Sequence, residues 1–95
     1  MTHERVWRRS STVAFVDSEG RSALLDLDRL TDPPLVLEGS AAEIWQRVDG
    51  ERETDQIVAE LVELYGEPRE VIAAAVESFL ADLVSRGLIE EADSD

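Results

Sequence analysis

Ninety-five residues, 43% of them hydrophobic, suffice for one domain with a modest core and argue against disorder by composition. Nine arginines, no lysine and 22 acidic residues leave a net charge of −13, which disfavours nucleic acid, because phosphate binding needs Lys and Arg to displace counterions. The absence of Cys removes disulfides and thiolate metal sites, and a single histidine, His3, leaves little to hold zinc or haem.

In chain order, MTHERVWRRS lacks the apolar stretch of a signal peptide, and no run approaches the roughly 18 apolar residues of a membrane span. A cytoplasmic protein off the membrane is expected. Arg5, with Trp7, Arg8 and Arg9, forms the sole basic cluster. It reads as contact with an acidic group on a partner or, preferably, as an arm on the protein's own acidic surface. That surface favours a basic partner, such as an Arg- or Lys-containing peptide, or serves solubility alone.

TVAFVD at 12–17 is rich in β-branched and aromatic residues and predicts a strand. RSALLDL at 21–27 places Ala23, Leu25 and Leu27 on one face at period two. DSEG between them, with Gly20 free to take positive φ, closes a hairpin. DRLTDPP is a loop. Leu35, Val36 and Leu37 predict a third short strand, and Pro33 and Pro34 before it suit an edge, where a missing N–H costs least.

Three helices are expected next. Ser40 to Glu43 reads as a capping box, followed by a stripe of Ala41, Ile44, Trp45 and Val48, with Gly50 as a left-handed cap. Trp45 is a core residue by this stripe. Thr54 is an N-cap for the second helix, whose stripe is Ile57, Leu61, Leu64 and Tyr65 and whose stop is Gly66. The third starts at Pro68 and carries Ile72, Val76, Phe79 and Leu83, widened by Ala75 and Leu80. Gly87 ends it, Leu88 and Ile89 fold back, and residues 90–95 form an acidic tail. The whole predicts a single α+β domain with an ordered core of about residues 6–89: a three-stranded antiparallel sheet followed by three helices, similar to a winged helix-turn-helix.

No constellation for chemistry stands out. Glu60, Glu63 and Glu67 read as a solvated helix face, no Ser–His–Asp set exists, and the five glycines are isolated turn and cap residues. As a recognition helix, residues 54–66 offer Asp55, Glu60 and Glu63 and no Arg, and the third sets Arg69 and Arg86 against Glu70, Glu77 and Asp82. An acidic winged-helix regulator and a homodimer pairing its free strand edges stand as alternatives. The edge at 35–37 presents unpaired N–H and C=O groups, which either meet water or recruit an extended peptide as an added strand.

The run LVLEGSAAEIWQRVDG, then Thr54, Ile57, Leu61, Tyr65 and Gly66, then VESFLADLVSRGLI, resembles the PqqD family. The resemblance covers about residues 6–89 and includes the early WRRS. That family is the stand-alone form of the RiPP recognition element, which binds leaders of ribosomally made, post-translationally modified peptides. The resemblance implies that a precursor leader adds as a strand beside Leu35, Val36, Leu37 and Glu38. It implies a groove wall from the third helix near Val71, Ala74, Ala75 and Ser78, with Ala73, Leu80 and Val84 on the opposite flank as the alternative. It also implies a separate modifying enzyme as partner, such as a radical SAM enzyme or a leader peptidase of lasso-peptide pathways. The domain itself, a monomer or weak homodimer, would do no chemistry and need no cofactor.

Overall fold

Eight elements follow one another along residues 6–92, the part of the chain that the computed structural model describes: β1 (Trp7–Arg9), β2 (Val13–Ser18), β3 (Arg21–Asp26), β4 (Leu35–Glu38), α1 (Ser40–Gln46), α2 (Thr54–Tyr65), α3 (Arg69–Ser85) and β5 (Ile89–Glu91). The predicted α+β order is present, with β2-β3-β4 as an antiparallel sheet followed by the three helices. His3 and Arg5 lie outside the described residues. No helix among the described residues is long and apolar enough to cross a membrane.

A second, two-stranded sheet joins β1 to β5 antiparallel, pairing Trp7 with Glu91 and Arg9 with Ile89. Two three-residue strands carry no readable alternation, so their pairing was not evident from the sequence. Glu90 and Glu91, expected in an acidic tail, instead belong to β5. Ala92 N donates to the Val6 carbonyl at 2.8 Å, and tail residues 93–95 lie outside the described residues. Arg8 ion-pairs with Glu90 across this sheet. Within the basic cluster, Arg8 thus lies against the protein's own acidic surface, whereas Trp7 is buried in the core.

The side of β3 that faces the core differs by one residue from the expectation. Ser22 and Leu24 are buried, while Leu27 is 48% exposed. Ala23 and Leu25 make the more apolar of the two alternating sets, against Ser22, Leu24 and Asp26, so periodicity favours the half-buried face and does not find the buried one. The neighbours do: Leu24 lies between Phe15 and Leu35, and Ser22 between Asp17 and Leu37. Ser22 tolerates full burial because its hydroxyl donates to Asp17 Oδ1.

Trp45 has no exposed surface and belongs to the core cluster that also holds Val48, Ile57 and Leu61. Its ring meets Phe15 edge to face, centroids 5.5 Å apart at 81°. The helix stripes otherwise shift slightly. Val58 is buried in α2, while Leu64 and Tyr65 are 52% and 43% exposed, and α3 buries Ile72, Val76, Leu80 and Leu83.

Helix starts also differ in detail. Gly39, with φ 62°, is the N-cap of α1, and its carbonyl accepts from Glu43 N. Ser40 is already inside the helix and makes no side-chain cap bond. Glu43 instead ion-pairs with Arg47. The capping box occurs one helix later, between Glu53 and Gln56. Thr54 spends its hydroxyl accepting from Trp7 Nε1 at 3.0 Å. The left-handed stop at Gly66 is present, whereas α1 ends at Gln46, and Gly50 lies in the following turn with its N–H bonded to the Trp7 carbonyl.

Candidate functional site

β4 is an outer strand of its sheet, and the ladder decides which of its main-chain groups are free. Gly39 N donates to the Gly20 carbonyl at 3.3 Å, in line with the register that pairs Arg21 with Glu38 and Leu24 with Leu35. Hydrogen-bonded pairs alternate in an antiparallel ladder. Ser22–Leu37 and Leu24–Leu35 are therefore bonded pairs, and the N–H and C=O groups of Val36 and Glu38 point away from β3. The other side of β3 agrees: Leu27 N donates to the Thr12 carbonyl, so Leu25, Ala23 and Arg21 bond towards β2. β4 thus presents two residues' main-chain groups to its free side.

Two cavities lie beside this strand, one at each end. At the Gly39 end, a cavity of about 370 Å³ is walled by Gly39, Ser40, Tyr65, Glu67, Val71 and Ala75, over buried Ile44, Leu61, Ile72 and Val76. At the Leu35 end, one of about 320 Å³ is formed by Leu35, Asp32, the two prolines, Arg29 and Arg86, with Leu24 and Leu88 beneath. The start of α3 borders the first, and Arg86, the C-cap of α3, borders the second. The helix therefore runs back along the edge strand.

Of the site residues expected from the sequence, Leu35, Val71 and Ala75 line these cavities. Ala74 and Ser78 are exposed on α3, and Val36 and Glu38 are exposed on β4. Glu38 ion-pairs with Arg21 at 2.6 Å, both side chains more than half exposed. Leu37 differs: its side chain is 5% exposed and belongs to the core. Leu80 and Val84, from the alternative flank, line a third cavity of about 520 Å³ with Trp7, Thr54, Asp55 and Glu77. Neither a residue of β4 nor Gly39 or Ser40, which follow it, lines that cavity. Tyr65 and Glu67 were missed because they read as a core stripe and a solvated face. The signal was their place at the α2–α3 turn, where helices diverge and Gly66 breaks the chain direction.

At the opposite edge of the sheet, Arg9 is held beneath Phe15 of β2. Its guanidinium carbon is 4.4 Å from the Phe15 ring centroid and 5.0 Å from that of Trp45, and Arg9 donates to the Trp45 carbonyl at 2.9 Å. Burial pulls this guanidinium below the ordinary arginine value, against the carboxylates of Asp17 and Asp49. Arg9 Nε and Trp45 Nε1 are both buried without a hydrogen-bond partner, and both are donors, so neither can serve the other.

Residues 23–89 match the family described as Coenzyme PQQ synthesis protein D (PqqD). Among solved structures, that of TbiB1 in complex with the TbiA(beta) leader peptide is similar with a TM-score of 0.79, over 93% of this chain and 99% of that chain, at 22% identity. The heterocyclase TruD is similar with a TM-score of 0.60 at 21% identity, over 92% of this chain but 11% of that one. At these identities the likeness is one of fold. No curated protein matches.

Proposed function

Because the chain belongs to the PqqD family, we propose that it is a RiPP recognition element that binds the leader of a ribosomally made precursor peptide as an added strand on β4. The leader lies between β4 and α3, reading side-chain pockets at the two cavities, with Val71, Ala74, Ala75 and Ser78 as the helical wall. The domain performs no chemistry itself. It presents the precursor, in the cytoplasm, to a separate modifying enzyme of the radical SAM or lasso leader-peptidase kind.

The observation that carries this reading is the free edge of β4 beside α3. Val36 and Glu38 turn their main-chain groups outward, and cavities flank both ends of that short ladder. Main-chain bonds give such a complex its register, and pockets for alternate side chains give it specificity. TbiB1, a protein of this fold, was solved with a leader peptide, which supports the same class of guest here.

Calorimetry with precursor leaders encoded beside the gene tests the reading. A nanomolar to micromolar Kd that Val36→Pro weakens is the expected result. Failure of every such leader to bind overturns it. Shift of the free protein to a dimer in sedimentation, undisturbed by leader, points instead to pairing of strand edges between copies.

A further inference from the structure

We propose that Glu67 selects guests carrying Lys or Arg near the N-terminal end of the added strand; this rests on the strand-addition reading above. The cavity at the Gly39 end is lined by ten residues, of which Glu67 is the single charged one. Its carboxylate has no hydrogen-bond or ion-pair partner among the described residues, unlike those of Asp55, Glu60 and Asp82, each held by an arginine. The cavity at the Leu35 end is different. It carries Arg29 and Arg86 together with Asp26 and Asp32, and Arg86 is tied to Asp82. One end of the groove is therefore acidic and apolar, and the other is mixed.

Strand direction converts that asymmetry into a preference. Every neighbour in this sheet is antiparallel, and antiparallel pairing is the more stable ladder. A guest added in the same sense starts beside Gly39 and finishes beside Leu35, so its N-terminal portion meets Glu67. A Lys or Arg there lays its hydrocarbon stem along Val71 and Tyr65, exposed at 57% and 43%, and brings its charge to the carboxylate. The net charge of −13 steers the same guests over longer range.

The test selects a displayed library of random short peptides on three proteins: wild type, Glu67→Lys and Val36→Pro. Expected are binders that Val36→Pro loses, enriched in Lys or Arg towards their N-terminal side. On Glu67→Lys that enrichment is expected to vanish or reverse to Asp and Glu. Synthesised basic binders are expected to lose roughly two- to fivefold in affinity against Glu67→Lys, the range of an exposed ion pair, with the difference shrinking in high salt. Binders sensitive to Val36→Pro but without that enrichment, or with one that Glu67→Lys retains, overturn the role of Glu67 and leave strand addition standing. Absence of any edge-sensitive binder overturns strand addition and this inference with it. Should Val36→Pro not fold, as judged by circular dichroism, Ala75→Trp serves instead, blocking the groove from an exposed helical position.

Discussion

The two free edges of one sheet differ in a way that strand length does not predict. β2 offers six residues without a proline, exposed beyond Val13, and by alternation Phe15 and Asp17 turn their main-chain groups outward. β4 offers four residues after two prolines. As a bare template for pairing, β2 is the better strand. Yet the space beneath β2 is already filled, since Phe15 rests on Trp45 and Arg9, while cavities lie open at the two ends of β4, one between Gly39 and the start of α3 and one between Leu35 and Arg86, the C-cap of α3. A ladder alone supplies register, and discrimination needs pockets for side chains. The candidate site is therefore made by the helix beside the strand as much as by the strand.

Matched proline substitutions on the two strands test this contrast. Val36→Pro deletes an N–H that points away from β3, so the native ladder survives and the thermal midpoint should move little. Leader affinity should fall about ten- to hundredfold, from one lost hydrogen bond and the bulk of the ring against the guest. Asp17→Pro removes the equivalent outward N–H on β2, with Asp17→Ala as the control for the lost carboxylate. Both should leave affinity unchanged. Both should also be less stable in urea by about 1–3 kcal/mol, because the fully buried Ser22 hydroxyl loses its acceptor. Equal loss of affinity from the two prolines removes the distinction between the edges.

Much of this contrast was legible beforehand, and the illegible part has identifiable causes. Pro33 and Pro34 marked β4 as an edge, and the Ile72–Val76–Leu83 stripe placed α3 against the core. The inward face of β3 is not legible, because Ala23 and Leu25 outweigh a Leu24 set between Ser22 and Asp26, and only pairing with Phe15 and Leu35 decides. The N-cap of α1 falls on Gly39 rather than Ser40: both residues suit the position, and the positive φ needed to turn the chain out of β4 selects glycine. For the groove, Leu35, Val71 and Ala75 follow from the family pattern. Tyr65 and Glu67 come from a different helix end, and no local period reports that two helix ends meet beside a strand.

The smallest effect is expected away from both edges, at Glu60. Its two oxygens accept from Arg47 Nε and Arg52 Nε, each at 2.9 Å, tying the end of α1 and the following turn to α2. Burial alone would raise this carboxyl, but the bonds from Arg52 and Arg47 outweigh it and hold it below the ordinary glutamate value. An unfolded glutamate takes its proton near pH 4.3, at about the reference value. Just below that, the unfolded chain binds more protons than the folded one, so stability falls with falling pH. The contribution is full above the unfolded value and is lost as pH drops through the lowered folded value. Glu60→Gln lacks it, so the stability gap between wild type and variant, measured by urea titration, should be constant near neutral pH and close in acid. Asp49, also held low, shares Arg52 with Glu60, so the closing of the gap in acid reports the coupled pair rather than Glu60 alone. Glu60, Arg47 and Arg52 line neither cavity beside β4, so leader affinity near neutral pH should be the same for both proteins. A change in affinity here would mean that β4 and α3 depend on the α1–α2 tie, and that the two edges differ through the helical layer as a whole rather than through the pockets beside one strand.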